Sequence, residues 1–141
     1  MARDIAAGRS YGFERHLPDA TVDRARELTI AALGSEGFGV LTEIDVKETL
    51  KKKIGADFRR YYILGACNPQ LAHRALSIDP QIGLLLPCNV VVQEAVEGGA
   101  LVSIADPRAM FSVSQNPELQ PIVEEAEQRL RRVIAAIGRP A

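Results

Sequence analysis

Apolar residues recur along the chain with two different periods. In some segments they alternate with polar residues, and in others they return at steps of three and four. The first pattern is typical of a strand with one buried face, and the second is typical of a helix with one buried stripe. The glycines of Glu97–Gly99 predict a turn that joins two strands as an antiparallel hairpin. Strands are predicted over residues 11–17, 38–44, 59–67, 88–95 and 100–105.

Helices are predicted where a capping residue precedes a helical stripe. Thr21 and Asp45 suit the N-cap position. Asn68–Pro69 and Asn116–Pro117 combine an N-cap residue with a proline at the first helical position. The predicted helices cover residues 22–33, 46–54, 69–78 and 117–137.

The order of these elements indicates the fold class. The apolar run 82–86 adds an optional strand, and residues 108–115 are predicted to be a loop or a poorly formed element. The order β-α-β-α-β-α-(β)-β-β-α has no glycine-rich phosphate loop after any strand. We therefore predict an α+β fold, with helices covering one or both faces of a mostly antiparallel sheet. Residues 1–10 are predicted to be a loose N-terminal arm, and residues 11–141 a single α+β domain.

Composition and charge narrow the class of protein. The 141 residues are 47% hydrophobic and 25% charged, which is typical of one globular domain rather than of a disordered chain. Lys and Arg total 17 against 18 Asp and Glu, so with a net charge of −1 we expect no nucleic-acid partner. No apolar run approaches the roughly 20 residues of a membrane span, and the start lacks the apolar stretch of a signal peptide. The expected location is the cytoplasm, with no membrane partner.

Two Cys-Asn pairs are the most distinctive candidates for chemistry. Cys67 and Asn68 end one predicted strand, and Cys88 and Asn89 begin another. If these strands are neighbours, both thiols lie at one rim of the fold. Cys67 directly precedes a predicted helix, and the free N–H groups and dipole of a helix start can lower the pKa of a thiol. The alternative is that both cysteines are small, buried and unreactive.

A disulfide and a metal site are two further hypotheses for these thiols. A transient disulfide between Cys67 and Cys88 is kept as a hypothesis, although a reducing cytoplasm disfavours a permanent one. The other soft ligands are His16 and His73. The spacing of His73 from Cys67 matches no standard zinc pattern, and His16 is interpreted as structural or exposed, so no metal site is predicted.

Glu43 is the candidate acidic group. Strict alternation places its side chain on the face of its strand opposite Val40, Thr42 and Ile44. There its pKa could be raised by apolar neighbours, or it could be an ordinary carboxylate at a solvent edge. The basic and aromatic run Arg59–Tyr62 could stack bases, but at this net charge packing is the simpler interpretation. No catalytic triad or nucleotide fingerprint is present in the sequence, so no catalytic residue is assigned and the cofactor is left unknown.

Four segments of the chain are similar to those of one known family. They are Tyr11–Leu17, Gly37–Asp45 with its following helix, Leu64–Pro69 with Ala72, Ala75 and Leu76, and Leu85–Val92. Together they resemble the bacterial and archaeal family named domain of unknown function 302. The resemblance covers about residues 11–137, and the two Cys-Asn segments are its most specific part.

The resemblance implies a fold and an assembly but no activity. It implies a small α+β fold with a curved antiparallel sheet, likened to the TATA-binding-protein fold, and a homodimer. The family's signature positions would map onto Cys67, Asn68, Pro69, Pro87 and Cys88, with no catalytic role attached to them.

The sequence as a whole favours a small dimeric module that binds a small apolar or anionic ligand. One alternative is a thiol-dependent redox or transfer enzyme that uses both cysteines. Another is a structural or interaction protein that acts through dimerisation. The candidate ligand-binding residues are Cys67, Asn68, Cys88, Asn89 and Glu43.

Overall fold

Five antiparallel strands form one sheet in the computed structural model, which describes residues 11–138. The strand order is β1-β5-β4-β3-β2, and every neighbouring pair is antiparallel. The predicted α+β class is therefore confirmed. The strands are β1 (Gly12–Leu17), β2 (Gly39–Asp45), β3 (Tyr61–Cys67), β4 (Cys88–Glu94) and β5 (Ala100–Ala105).

Five α-helices connect and follow these strands. The side chains of Thr21, Asp45 and Asn68 accept hydrogen bonds from backbone N–H groups in the first turns of three helices, so their predicted capping roles are confirmed. None of the helices within residues 11–138 is long and apolar enough to cross a bilayer. The helices are α1 (Val22–Ser35), α2 (Val46–Ile54), α3 (Pro69–Ile78), α4 (Pro107–Phe111) and α5 (Gln120–Ala136).

Three segments differ from their predictions. Residues 117–119, predicted as the start of the last helix, form a 3-10 turn before α5, and the other two segments are helical where no helix is predicted. Residues 80–85 form a 3-10 helix rather than the optional strand, because Asp79 accepts a hydrogen bond from the N–H of Gln81 at 3.0 Å and Pro80 fits a first helical turn. Residues 107–114, predicted from 108 onward as a loop, form α4 and a further 3-10 turn. There the Oδ1 atom of Asp106 accepts a hydrogen bond from the N–H of Arg108 at 2.9 Å. Both segments begin with Asp-Pro, which opens a helix as Asn-Pro does elsewhere in the chain.

One face of the sheet, the inner face, packs against α1 and α5. Its strand residues alternate along β3, β4 and β5, as in an antiparallel sheet with one buried face. Leu33 from α1 and Leu130 from α5 complete this core and are fully buried. The buried strand residues are Leu64, Ala66, Val90, Val92, Ala100, Val102 and Ile104.

The opposite side of the sheet is called the outer face here. By the strand register it carries Gly12, Glu14, His16, Gly39, Thr42, Ile44, Tyr61, Ile63, Gly65, Cys67, Asn89, Val91, Gln93, Leu101, Ser103 and Ala105. None of these side chains belongs to a buried apolar cluster of the described residues.

A second apolar cluster lies beyond the main core, between α3 and the first half of α5. Leu71 and Ala75 of α3 pack there with Ile122 and Val123 of α5. Phe111, at the end of α4, packs against the same cluster. The junction between the two clusters holds the candidate site.

Strand β2 contains a β-bulge. Val40 is opposite Ala66, but Thr42 is opposite Gly65, so Leu41 is an extra residue in the ladder. The predicted loose arm at residues 1–10 lies outside the described residues, and the single-domain assignment of residues 11–141 stays a prediction.

Candidate functional site

A small apolar cavity lies where the ends of β3 and β4 meet the helices. Its volume is about 40 Å³, and both cysteines line it, so it is called the thiol cavity here. Several alanines leave the space that larger side chains would fill. The lining residues are Phe38, Ala66, Cys67, Asn68, Leu71, Ala72, Ala75, Leu86, Cys88, Phe111, Ile122 and Ala126.

The two thiols come together because β3 and β4 are antiparallel neighbours. Cys88, the first residue of β4, is opposite Ala66, so it lies one position from Cys67 at the end of β3. The Leu86–Pro87 peptide bond that leads into β4 is cis. Both cysteines are free and half-buried. The register places the two residues at one rim of the sheet, and both line the same cavity.

The cavity environment disfavours the thiolate form of both cysteines. Burial raises the pKa of the Cys67 thiol. Burial, together with the neighbouring Cys67, raises the pKa of the Cys88 thiol to about 11. Apolar surroundings penalise the charged form of a thiol. The two groups are therefore neutral thiols at pH 7, and the helix start that follows Cys67 does not lower its pKa.

Asn68 supports the helix beside the cavity. Its Oδ1 accepts a hydrogen bond from the N–H of Leu71 at 3.1 Å, and its Nδ2 donates to the carbonyl of Glu36 at 3.5 Å. Both polar atoms of the Asn68 side chain therefore have hydrogen-bond partners within the protein. Its position links the start of α3 to the end of α1.

The other two candidate residues lie elsewhere. Asn89 is exposed on the outer face, opposite Gly65. The prediction that Glu43 faces away from Val40 is wrong, because the bulge adds one residue and returns Glu43 to the inner face, opposite Leu64. There Glu43 pairs with Arg26 of α1.

The histidines stay apart from the thiol cavity. His73 is exposed on α3, and the Nε2 of His16 lies 2.7 Å from the carbonyl oxygen of Gly98. Within residues 11–138, no three His, Cys, Asp or Glu side chains are grouped as metal ligands would be.

Sequence reasoning missed the part of the cavity wall that comes from distant segments. Phe111 was assigned to a loop, and Leu86 to an optional strand. The signal that could have found Phe111 is Asp106–Pro107, which begins a helix four residues before it. Leu71, Ile122 and Ala126 were predicted as buried helix positions, but periodicity does not show which helices meet.

Comparison with protein families gives one match that covers most of the chain. The model described as "Domain of unknown function DUF302" matches residues 13–137. The chain belongs to the DUF302 family. A solved structure supports this: the uncharacterized conserved DUF302 protein from Bacillus stearothermophilus has 28% identity and a TM-score of 0.83, and the match covers 92% of this chain and 99% of that one.

The DUF302 assignment confirms the family that the sequence resembles. No curated protein matches the chain. The curved sheet and the likeness to the TATA-binding-protein fold stay what the family resemblance implies.

Proposed function

We propose that this DUF302 protein is a small binding module whose thiol cavity takes a small apolar group. What supports this is the cavity wall, in which aliphatic, aromatic and neutral thiol groups from two strands and three helices surround one space. A cavity of about 40 Å³ is far below the roughly 300 Å³ of a site for a whole drug-sized ligand. The natural ligand would therefore be a very small apolar molecule or the apolar end of a larger one.

The start of α3 argues for an apolar rather than an anionic ligand. Pro69 has no N–H group to donate. The N–H of Leu71 is capped by Asn68, and the N–H of Ala72 donates to the Asn68 carbonyl at 2.9 Å. An anion at this helix end would find most of the donors already occupied.

The neutral thiols argue against the enzyme alternative. A thiol acts as a nucleophile through its thiolate, and reactive cysteines have lowered pKa values. The pKa values of Cys67 and Cys88 are both raised. In the proposed function, the two cysteines form part of the apolar wall.

Xenon is a suitable probe because it is apolar and small, and xenon enters dry apolar cavities in proteins. We expect xenon under pressure to shift the NMR methyl signals of Ala72 and Ala126, and to leave those of the exposed Ala31 unchanged. Replacing Ala72→Leu fills the cavity and should weaken xenon binding by about tenfold or more, since the occupied volume is lost. Ala31→Leu is the matched control and should bind xenon as the wild type does.

Xenon shifts that are equal in the two leucine variants, or absent from the wild type, would contradict the proposal. If Ala72→Leu does not fold, Ala126→Val provides a smaller filling change from α5, which also lines the cavity.

The second part of the proposal is that the protein is a homodimer, as the family resemblance implies. The feature that supports it is the outer face, which the described helices leave without a buried apolar partner. A sedimentation measurement tests it directly, because a mass that stays at the 15.3 kDa of one chain would exclude a stable dimer.

A further inference from the structure

A second space lies next to the thiol cavity, and the two share a wall. It is a cleft of about 380 Å³ between α4 and the start of α5, and it is called the surface cleft here. Among the described residues, Phe111 is the one that lines both the surface cleft and the thiol cavity. Leu119 and Val123 add apolar wall to the cleft, whereas Ile122 belongs to the cavity. One aromatic residue therefore lies between a large space and a small apolar one.

The surface cleft differs from the thiol cavity in its chemistry. Most of its lining residues are polar, and no Asp or Glu of the described chain is among them. Ser112 and Ser114 donate their hydroxyl hydrogens to backbone carbonyls. The Oδ1 of Asn116 accepts from the N–H of Glu118 at 2.9 Å, so its amide NH₂ group is the part that can donate to a ligand. The polar lining residues are Arg108, Ser112, Ser114, Gln115, Asn116 and Gln120.

Arg108 supplies a positive charge at the surface cleft. Its side chain is 56% exposed, and its Nε lies 3.3 Å from Oε1 of Glu127. Glu127 also accepts a hydrogen bond from Nε of Arg131 at 2.8 Å, so two guanidinium groups share this one carboxylate. Part of the positive charge of Arg108 is therefore left for a ligand. The planar guanidinium group matches the geometry of a carboxylate.

We propose that the two spaces bind one molecule, an aliphatic carboxylate, with the end of its chain in the thiol cavity and its head near Arg108. This inference rests on the proposed function and names the class of ligand. A cavity of about 40 Å³ takes only the end of a chain, and the cleft of about 380 Å³ has room for the rest. A chain that occupies both spaces displaces the ring of Phe111, which lies between them.

The two linings together favour this class over simpler ligands. A wholly apolar molecule makes no use of Arg108 and of the amide donors of the cleft. A small anion without a chain leaves the apolar wall of the thiol cavity without a partner. An aliphatic carboxylate satisfies both, because its chain is buried among apolar groups while its charge accepts hydrogen bonds from the cleft.

Octanoate and 1-octanol are suitable probes, because they have chains of the same length and differ in the charge of the head. We expect octanoate to shift the NMR amide signals of Ser112 and Gln115, which line the surface cleft. In the same titration it should shift the methyl signals of Ala72 and Ala126, which line the thiol cavity. The methyl signal of the exposed Ala31 should stay unchanged.

Arg108→Gln tests the contact with the head. It should raise the dissociation constant of octanoate by about tenfold, since a charge-assisted hydrogen bond is lost, and change that of 1-octanol by less than about twofold. Arg24→Gln is the matched control, because Arg24 is 61% exposed and lies 3.2 Å from its own ion-pair partner, Glu27. That variant should bind octanoate as the wild type does.

Ala72→Leu tests the place of the chain. By filling the thiol cavity it should weaken the binding of both probes by about tenfold or more, while Ala31→Leu binds them as the wild type does. Octanoate that shifts the signals of the cleft but not the methyl signals of the cavity would overturn the inference. Equal binding of octanoate to Arg108→Gln and to the wild type would overturn it as well.

The xenon experiment separates the two possible failures. If xenon enters the thiol cavity but octanoate does not bind across both spaces, this inference fails and the proposed function stands. If xenon does not enter the cavity, the proposed function and the inference fail together.

Discussion

Cys88 begins β4 after a proline and lies against the apolar wall of the thiol cavity. Its pKa depends on those neighbours, which come from three helices and are distant in sequence. The sequence could predict that the two thiols share a rim, because a strand that ends with Cys67 and a strand that begins with Cys88 can be neighbours. It could not predict the raised pKa values, since the burial that causes them depends on how α3, α4 and α5 pack together.

The raised pKa of Cys88 predicts a loss of stability at alkaline pH. The folded protein holds the Cys88 proton up to about pH 11, whereas the ordinary pKa of 9.0 applies to the unfolded chain. This contribution is fully present below pH 9 and is lost as the pH rises through 11, by up to about 3 kcal/mol. Denaturant unfolding at several pH values should show that Cys88→Ala lacks this part of the decline. Parallel pH profiles for the two proteins would rule the effect out.

At the scale of elements, N-cap residues fix where helices begin, and close contacts limit which residues a strand can carry. Helix starts were predictable because Thr, Asp and Asn side chains accept hydrogen bonds from the first turn, and all the predicted caps of α1, α2 and α3 are present. The face of Glu43 was not predictable, because a bulge leaves no clear mark in the alternating sequence of β2. Strand β3 lies close to its neighbours at Gly65. A Cβ atom there would lie 2.8 Å from Cγ of Pro87 and would also meet the Thr42 hydroxyl.

Gly65→Ala should therefore destabilise the protein by about 1–3 kcal/mol, the usual cost of overpacking. Gly39→Ala is the matched control on the neighbouring strand, because a Cβ atom at Gly39 would meet nothing within 4 Å. That variant should keep or slightly raise the stability, since alanine costs less conformational entropy than glycine. Thermal unfolding of both variants makes the comparison, and equal stability changes would show that the space around Gly65 can relax.

At the scale of the whole molecule, long-range ion pairs hold the helices around the thiol cavity. Arg132 of α5 donates two hydrogen bonds to the Glu36 carboxylate at 2.9 and 3.0 Å, and Arg129 donates to the Glu36 carbonyl at 3.0 Å. Asn68 reaches the same carbonyl, so the ends of α1, α3 and α5 converge on one residue. Periodicity predicted each of these helices separately. It did not indicate their convergence, because the arginines and Glu36 are more than 90 residues apart in sequence.

The bulge in β2 has a consequence for how the protein tolerates deletions and for its solubility. Because Leu41 is the extra residue and is 68% exposed, its deletion leaves Val40, Thr42 and Glu43 on their present faces. We expect the shortened chain to unfold cooperatively, as the wild type does. Deletion of Ile63 from the regular ladder of β3, by contrast, moves the side chains of one half of that strand to the opposite face of the sheet and prevents folding. Circular dichroism during thermal melting distinguishes the two deletions, and failure of both to fold would contradict this account.

An irregular edge strand is also a poor template for pairing with the strand of another molecule, because its unpaired N–H and C=O groups do not line up. Strand β2 is an edge strand of the sheet. Removing Leu41 straightens this edge, so the deletion variant should aggregate faster than the wild type, as light scattering at equal concentration would measure. The residue that disrupts the ladder would then be what keeps separate molecules from joining edge to edge into fibres.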